Sequence, residues 1–337
     1  MRRKITVFGG SGFIGRHLVR RLAASGSEIR VAVRDIEAAQ YLKPAGEIGQ
    51  VVLWQTDIKQ PAQVASAIQG SDGVVNLVGV LSEWGGNTFS AVHTEGAKNI
   101  AEAATAAGVK DLVHVSAIGA NKFGESLYAR TKAMGEEAVL AAFPSATILR
   151  PSIIFGPEDG FFNMFAGIAR FLPLLPIFGC PVLPKISISG ENGLTVAVDL
   201  YGDGGTKLQP VYVGDVADAI TATLENADTH GKTFELGGPT VYSYKQVMEL
   251  LLRYTGRRKW LVPIPFGVAM IDAFFLQMLP KPLLTCDQVT LLKTDNVVST
   301  GAATFDALGI NPVAAETILP TYLGRFRTGV SEGLQNA

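Results

Sequence analysis

The 337-residue chain has few of the residues that build metal centres or disulfide frameworks. Its two cysteines, Cys180 and Cys286, lie far apart and fit no metal or redox spacing, so we expect reduced thiols in a cytosol-like compartment. The four histidines are scattered, and we expect no bound metal. An excess of one charge is also lacking, because the formal net charge is −1. We therefore expect no nucleic-acid partner.

Long apolar runs are missing as well. No run reaches the roughly 18 apolar residues of a spanning helix. The first strand is expected to follow "MRR" directly, so we expect no signal peptide and a cytoplasmic protein. In contrast, 47% of the residues are hydrophobic, which favours a substantial core over disorder. The length suits one large α/β domain or two smaller ones.

Short runs rich in valine and isoleucine alternate with helical periodicity from residue 4 to about 155. The segments typical of strands are 4–10, 29–35, 51–57, 73–80, 111–117 and 146–156. The segments typical of helices are 14–26, 61–70, 94–108 and 128–143. This alternation predicts an α/β fold with a Rossmann-type doubly wound parallel sheet.

A glycine-rich turn lies between the first predicted strand and the first predicted helix. In "VFGGSGFIGRHLVRRL", Gly9, Gly12 and Gly15 form a G-x-x-G-x-x-G pattern. Glycines there let the backbone turn tightly and approach a pyrophosphate at the helix N-terminus. The strand–turn–helix context predicts a dinucleotide site, and a glycine turn without a ligand is the less favoured alternative.

The ends of the next strands indicate which dinucleotide binds. Arg34 ends the second strand in "AVRD", and a guanidinium suits the 2′-phosphate of NADP(H). We therefore expect NADP(H) in preference to NAD(H); the alternative is a solvated Arg34 with Asp35 on the ribose. Asp57 and Ile58 close the third strand, where Asp57 could accept from the adenine amino group or cap the next helix. Gly79 ends the fourth strand and allows the backbone near the cofactor.

One tyrosine and one lysine lie four positions apart in "ESLYARTKAMGEE". On a helix, Tyr128 and Lys132 share a face, and an ammonium beside a phenol lowers the pKa of the phenol and prepares it for proton transfer. The same pair is also suited to holding a nucleotide without chemistry. The residues alone leave both roles open.

After Pro157 the alternation breaks. We expect an NAD(P)-binding Rossmann domain over 1–157, joined by a strand and a helix from 206–240, and a smaller C-terminal lobe over 158–337. Two alternating runs around Gly-Glu-Asn-Gly predict a hairpin insertion at about 180–205. Asp215 is the expected N-cap of the helix that follows "QPVYVG".

The glycine pattern, the Asp57-Ile58 pair, Ser116 after the fifth strand, Tyr128-x-x-x-Lys132 and "LRPSIIFGP" occur in one order. Over residues 4–250 the chain thereby resembles the extended and atypical short-chain dehydrogenase/reductase superfamily. The segments "HVSAIGA", "RTKAMGEEAV" and "FGPEDGFFNMFA" resemble one branch of it, the nucleotide-binding accessory subunits of respiratory complex I (NADH:ubiquinone oxidoreductase) and their bacterial homologues. The branch implies a tightly held NADP(H), with a role in assembly and stability and no substrate turned over.

Together the glycine turn, the strand ends and the resemblance imply a set of site residues. The residues expected to hold the cofactor are Gly9, Ser11, Gly12, Phe13, Ile14, Gly15, Arg34, Asp57, Ile58, Val78, Gly79, Ser116, Tyr128, Lys132, Pro151, Ser152 and Ile153. The candidate catalytic residues are Tyr128, Lys132 and Ser116.

Catalysis in the superfamily needs a hydroxyl beside the tyrosine, which extended members usually supply from the second residue of a Ser-Ser or Thr-Ser pair. Here the pair is Ser116-Ala117, and side-chain alternation allows Ser116 to face away. We therefore expect a cofactor holder. The alternatives are a free-standing NADP-dependent oxidoreductase or sugar-nucleotide epimerase/dehydratase that uses Tyr128 and Lys132, and a structural protein with an empty site.

The segment 257–282 begins with basic residues and continues with aromatic and apolar ones. It is too short to span a bilayer, but such a segment can lie at a membrane surface or against a partner. We expect complex I subunits and the membrane surface as partners. The expected location is the cytoplasmic (or mitochondrial matrix) face of the inner membrane, with peripheral association. A core helix of the smaller lobe is the alternative.

Overall fold

The computed structural model describes residues 2–181, 185–189, 195–279 and 282–327. The strands are β1 (Lys4–Phe8), β2 (Glu28–Val33), β3 (Val51–Gln55), β4 (Gly73–Asn76), β5 (Asp111–Val115), β6 (Thr147–Pro151), β7 (Ile154–Phe155), β8 (Leu174–Phe178), β9 (Lys185–Ser189), β10 (Thr195–Asp199), β11 (Lys207–Leu208), β12 (Val211–Tyr212), β13 (Thr233–Leu236), β14 (Tyr242–Ser243) and β15 (Trp260–Ile264). The helices are α1 (Phe13–Ala24), α2 (Pro61–Ile68), α3 (Gly96–Ala106), α4 (Leu127–Ala142), α5 (Phe161–Phe171), α6 (Val213–Glu225), α7 (Tyr244–Thr255), α8 (Phe266–Leu276), α9 (Cys286–Leu291) and α10 (Ala315–Leu323). A π-helical turn, Ser90–Glu95, leads into α3, and short 3-10 turns are Gln40–Ala45, Ala227–Thr229, Phe305–Leu308 and Gly324–Phe326.

Seven strands form one sheet in the order β13-β6-β5-β4-β1-β2-β3, and every neighbouring pair in it is parallel. All four residues of β4 are buried, as expected for a parallel strand covered on both faces. The predicted α/β class with a Rossmann-type doubly wound sheet is therefore confirmed.

Helices cover both faces of this sheet. Helices α1 and α6 pack against each other, and α6 contacts β5 and β6. On another part of the sheet, α2, α3 and α4 contribute to one buried cluster with the strands; its members include Phe8, Val64, Ile68, Val74, Ile100, Leu112, Val139 and Ile148. Apolar residues at helical spacing, such as those of α3, supply the inner faces of these helices.

The chain divides into two compact units. The first comprises Met1–Ser152, Val211–Gly237 and Val298–Pro312, and it contains the seven-stranded sheet. The second comprises Ile153–Pro210, Gly238–Val297 and Val313–Ala337. In the second unit β9 and β10 pair antiparallel. The predicted Gly-Glu-Asn-Gly turn over 190–193 lies outside the described residues, and the hairpin insertion stays a prediction.

The second unit has its own aromatic core. Phe165 and Phe178 both meet the buried ring of Tyr244 edge-on, at centroid distances of 6.3 and 5.5 Å. At the start of α5, the Asp159 carboxylate accepts from the backbone of Phe162 at 2.6 Å and, through its other oxygen, from the Tyr322 hydroxyl at 2.6 Å. The segment "FGPEDGFFNMFA" thus builds a helix start and a buried polar link within this unit.

Two predicted helix caps are wrong. Helix α2 has Gln60 as its N-cap and Pro61 at the first position, so Asp57 does not cap it. Proline suits that position because its fixed φ is already helical. Helix α6 has Tyr212 as its N-cap, which places Asp215 inside the first turn, where a carboxylate still favours the helix dipole.

Candidate functional site

The glycine turn follows β1, which lies between β2 and β4 in the sheet. The strand order reverses at this point, and open α/β sheets bind ligands at such a position. Gly9 has a φ of +76°, and a Cβ there would lie 3.2 Å from backbone atoms of Leu77 and Val78. A side chain at Gly9 would therefore be strained and crowded by the loop after β4.

Helix α1 begins with Gly12 as its N-cap. No acidic residue occupies its first turn, so the positive end of the helix dipole is not compensated there. Gly15 packs directly against the backbone of Gly10, where no Cβ would fit. The residues present fit a pyrophosphate, because first-turn N–H groups and close backbone approach are what such a ligand requires.

A cavity of about 230 Å³ opens beside this turn. The predicted cofactor residues that line it are Gly9, Ser11, Gly12, Arg34, Asp57, Ile58, Val78 and Gly79. Thr56, Lys59 and Asn87 also line it, and sequence reasoning missed them because they carry no motif. The predicted residues Phe13, Ile14, Gly15, Ser116, Tyr128, Lys132, Pro151, Ser152 and Ile153 are outside its lining.

Arg34 and Asp35 have different surroundings at the end of β2. The Arg34 Nη1 donates to Asn87 Oδ1 at 3.2 Å, across the cavity. The Asp35 carboxylate accepts from the backbone N–H of Ala38 at 3.0 Å and thereby holds the following turn. Arg34 and Asp35 also border a second, open depression of about 510 Å³ together with Glu37.

Asp57 is tied to its own loop. Its carboxylate accepts from the backbone N–H of Lys59 at 3.0 Å, and its other oxygen lies 3.6 Å from Lys59 Nζ. Its backbone N–H donates to Gln63 at 2.8 Å. The side chain nevertheless lines the cavity, so contact with the adenine amino group stays a prediction.

The Lys132 side chain approaches the cavity wall at Gly79. Its side chain is buried on α4, and Nζ donates to the carbonyl of Val115 at 3.1 Å. Nζ lies 3.4 Å from the point where a Cβ of Gly79 would be, so glycine leaves space above the ammonium. Burial lowers the pKa of Lys132 to about 8, although Glu136 acts in the opposite direction.

Tyr128 differs from the expectation of an activated phenol. Burial raises its pKa to about 12, and the predicted lowering by Lys132 is wrong because removal of the phenol from water dominates. The ring meets Phe89 edge-on at a centroid distance of 5.9 Å and His93 at 5.2 Å. Aromatic contacts therefore fix the orientation of this ring.

Ser116 follows β5 and is buried. Among the residues that the structure describes, its hydroxyl has no hydrogen-bond partner. Its backbone N–H continues the sheet by donating to Leu149 at 2.7 Å. Ser116 thus continues the backbone pairing of β5 for one residue, and a catalytic role of its hydroxyl stays a prediction.

Two buried histidines lie beside Lys132, and sequence reasoning did not assign them. His93 Nε2 accepts from the backbone of Val80 at 3.0 Å, and His93 Nδ1 lies 3.1 Å from the Thr131 hydroxyl. His114 Nδ1 accepts from the Asn76 amide at 3.0 Å. Burial, with the nearby Lys132 charge, lowers the pKa of each histidine to about 3, so both are neutral.

The segment 151–153 already uses much of its backbone. The Pro151 carbonyl accepts from Ile118 at 3.0 Å, and the Ser152 N–H donates to Leu236 at 2.9 Å. The Ile153 N–H donates to the Asn296 side chain at 3.0 Å. Cofactor binding by the backbone of Pro151, Ser152 and Ile153 stays a prediction.

Comparison with known proteins places this geometry in a family. The model of the "NAD dependent epimerase/dehydratase family" matches residues 5–237, which contain the glycine turn, the cavity and the Tyr128–Lys132 pair. The chain belongs to this family. It therefore shares the dinucleotide-binding architecture that the family name describes.

Curated relatives match over almost the whole chain. The mitochondrial NADH dehydrogenase [ubiquinone] 1 alpha subcomplex subunit 9 of Arabidopsis thaliana is 34% identical over 96% of this chain and 78% of its own length. The subunit of the same name from Rattus norvegicus is 32% identical over 96% of this chain and 80% of its own length. The resemblance to complex I accessory subunits is thereby confirmed.

Solved structures have a similar fold to this chain. DesIV, a dTDP-glucose 4,6-dehydratase from Streptomyces venezuelae with NAD and TYD bound, aligns with a TM-score of 0.68 over 96% of each chain. The identity is 19%, so the similarity concerns the fold alone. In the described residues, no helix has the length and apolar character needed to cross a bilayer.

Proposed function

We propose that the chain holds NADP(H) and does so in preference to NAD(H). The observation that carries this proposal is the contrast between Arg34 and Asp35. Arg34 lines the cavity beside the glycine turn, whereas Asp35 is outside its lining and accepts from the Ala38 N–H through one carboxylate oxygen. A guanidinium at the end of β2 suits a 2′-phosphate, and a carboxylate there would repel it.

The cofactor serves mainly a structural and assembly role in this proposal. Tyr128 has a raised pKa, Ala117 replaces the usual hydroxyl, and the buried Ser116 hydroxyl has no hydrogen-bond partner among the described residues that would orient it. Lys132 donates to Val115, which fits positioning of a ribose better than activation of the phenol. The two relatives described above, which match 96% of this chain, are named as complex I subunits, which supports an assembly role here.

The first test identifies the nucleotide. Protein purified without added nucleotide is denatured, and the released material is analysed by mass spectrometry; we expect NADP(H). Titration of nucleotide-free protein should then give tighter binding of NADPH than of NADH, and Arg34→Ala should reduce that difference. Equal affinities in the wild type, or an unchanged preference in Arg34→Ala, would contradict the cofactor choice. If the purified protein releases no nucleotide and also binds none in the titration, a purely structural protein would be favoured.

A free-standing oxidoreductase or epimerase/dehydratase is the second candidate function. The Tyr128–Lys132 pair and a Lys132 pKa of about 8 favour it, because a lysine near neutrality can assist proton transfer. Hydride transfer is measured with NADPH and a panel of carbonyl and sugar-nucleotide substrates, for wild type and Tyr128→Phe. Turnover that disappears in Tyr128→Phe would establish this candidate. No turnover, with nucleotide bound, is the result that the holder predicts.

Peripheral association with an energy-transducing membrane is also part of the proposal. Helix α8 exposes Val268, Ile271, Phe274 and Phe275, whereas its buried residues are the small Ala269 and Ala273. A core helix would show the opposite arrangement. The basic residues 257–259 precede this region and suit anionic head groups.

Fractionation of cells at low and at high salt tests this association. We expect the protein with the membranes at low salt and partial release at high salt, because electrostatic attraction is screened while apolar contacts persist. Co-purification of complex I subunits with the membrane-bound protein would support the assembly role. Protein found wholly in the aqueous fraction at low salt would contradict membrane association.

A further inference from the structure

Two cationic side chains from different loops meet at one amide oxygen on the cavity wall. Arg34 Nη1 lies 3.2 Å from Asn87 Oδ1, and Lys59 Nζ lies 3.4 Å from the same atom. Lys59 Nζ also donates to the carbonyl of Gly86 at 3.3 Å. Arg34 follows β2, Lys59 follows β3, and Asn87 belongs to the loop after β4. The carboxyl ends of β2, β3 and β4 thus contribute one group each.

The loop that carries Asn87 is built to hold it in place. Trp84 and Asn87 exchange backbone hydrogen bonds at 3.4 and 3.1 Å around Gly85 and Gly86. Gly85 has a φ of +56°, a conformation that glycine adopts readily in a tight turn of this kind. Just beyond the turn, the Phe89 N–H donates to Glu83 at 2.7 Å. Asn87 is therefore presented by a constrained turn.

The charges at this point are not balanced. Because both cations lie within hydrogen-bond distance of one oxygen, they are within about 7 Å of each other and repel. Asp57 lies 3.6 Å from Lys59, but in the described part of the chain no carboxylate lies within ion-pair distance of Arg34. An anionic group placed between Arg34 and Lys59 would relieve the repulsion and accept from both.

We infer that Lys59 and Asn87 complete, with Arg34, the subsite for the 2′-phosphate of NADP(H). The inference rests on the proposed NADP(H) function and names two specificity residues for it. Arg34 contacts the phosphate through its planar guanidinium, and Lys59 contacts it as a point charge. Asn87 is a positioning residue that keeps both cations directed at the phosphate before it binds.

Two nearly isosteric variants test the subsite. Lys59→Met removes the charge and keeps an unbranched side chain only one atom shorter, and Asn87→Asp adds a negative charge where the phosphate would lie. The affinities for NADPH and for NADH are measured by titration of nucleotide-free protein. Since a hydrogen bond to a charged group contributes about 1.5–3 kcal/mol, each variant should weaken NADPH binding about tenfold or more. NADH binding should change by less than about twofold, because NADH lacks that phosphate.

Lys98→Met is the matched control, since Lys98 is an exposed lysine on α3 that pairs with Glu102 at 3.6 Å. It should leave both affinities unchanged. The phosphorus resonance of bound NADPH gives a second readout: the pKa of the 2′-phosphate should be lower in wild type than in Lys59→Met, because a nearby cation favours the dianion. A purely structural role of Lys59 would not move that resonance.

The outcomes separate the subsite from the cofactor choice. A wild type that prefers NADH would overturn both, and the titration shows this before any variant is made. A wild type that prefers NADPH, with the preference retained in Lys59→Met and in Asn87→Asp, would overturn the subsite alone. Equal weakening of NADPH and NADH would also overturn it, because the two residues would then act on the shared part of the nucleotide or on folding.

Discussion

Lys132 combines two roles that oppose each other. Its ammonium is buried under the cavity wall, and burial lowers its pKa from 10.5 to about 8. The folded state therefore binds the proton less tightly than the unfolded state does, and stability rises with pH between about 8 and 10.5. Below pH 8 the folded protein carries this buried charge, which lowers the free energy of unfolding by about 3 kcal/mol. That charge is also the group that can hold a ribose hydroxyl.

We predict that Lys132→Met stabilises the nucleotide-free protein at pH 7 and weakens NADPH binding. The gain should be about 1–2 kcal/mol, because the relief of the buried charge is partly offset by loss of the bond to Val115. Urea unfolding at pH 7 and pH 10 measures it, and the gain should shrink at the higher pH. A variant that is less stable than wild type at pH 7 would show that the ammonium stabilises the folded state.

His114 makes the fold sensitive to acid. Its pKa is lowered to about 3, so the folded state excludes a proton that the unfolded state takes up below pH 6.5. Stability is therefore present above pH 6.5 and is lost as the pH falls towards 3. We predict that His114→Gln, which keeps an acceptor for Asn76, reduces the loss of stability between pH 7 and pH 5 by about 2 kcal/mol. Urea unfolding at the two pH values measures this, and an unchanged loss would contradict it.

At the scale of elements, the site depends on how closely the first turn of α1 approaches the strand before it. Gly15 lies against the backbone of Gly10, and Gly9 lies against the loop after β4. The same loop is connected to the π-helical turn and to α4, because His93 accepts from Val80 and contacts Thr131. Helix α1, the loop after β4 and α4 therefore form one packed frame around the nucleotide position.

We predict that Gly15→Ala disrupts this frame. A Cβ would collide with backbone atoms of Gly10, which cannot move as a flexible side chain could, so destabilisation of about 1–3 kcal/mol and loss of nucleotide binding are expected. Gly167→Ala is the control, because Gly167 lies within α5 and a Cβ there has nothing within 4 Å. It should stabilise by about 0.5–1 kcal/mol. Urea unfolding and NADPH titration compare the two; equal effects would contradict the packing argument.

At the scale of the whole molecule, the exposed apolar surface is unevenly distributed. Besides the large residues of α8, Met278 and Leu279 directly after it are exposed, as are Phe171, Leu172 and Trp260. Leu174 is also exposed and pairs with Trp260 in the β8–β15 register, so these two side chains form an exposed apolar pair in the second unit. Exposed clusters of this kind mark surfaces that bind lipids or proteins.

We predict that Phe275→Glu lowers binding to vesicles that contain anionic lipid by about tenfold, since the variant loses about 1.5–3 kcal/mol of apolar burial. Ile48→Glu is the control, because Ile48 is fully exposed but lies in the first unit. It should bind vesicles as wild type does, and both variants should bind NADPH normally. Equal retention of Phe275→Glu and wild type on the vesicles would contradict a lipid contact by this face of α8.

Local patterns in the sequence determined much of this protein. Strand and helix alternation, the glycine turn and Arg34 after β2 depend on neighbours along the chain, so their spacing alone predicted the parallel sheet and the position of the dinucleotide site. The sequence also predicted where the third and fourth strands end. Asp57, Val78 and Gly79, which follow those strands, line the cavity. Spacing could not show that the Asp57 carboxylate would contact Lys59 instead of capping α2.

The tertiary structure alone decided the electrostatics and the exposed surface. Tyr128 and Lys132 share a helix face in the sequence, but desolvation by distant parts of the fold raises the pKa of the one and lowers that of the other. Lys59 and Asn87 are 28 positions apart and meet only because β3 and β4 end at the same edge of the sheet. The apolar residues of α8 had the composition of a core helix, and only packing showed that its alanines are buried and its large side chains exposed. Solvent exclusion and long-range contacts are properties of the packed chain, and a local pattern contains no record of them.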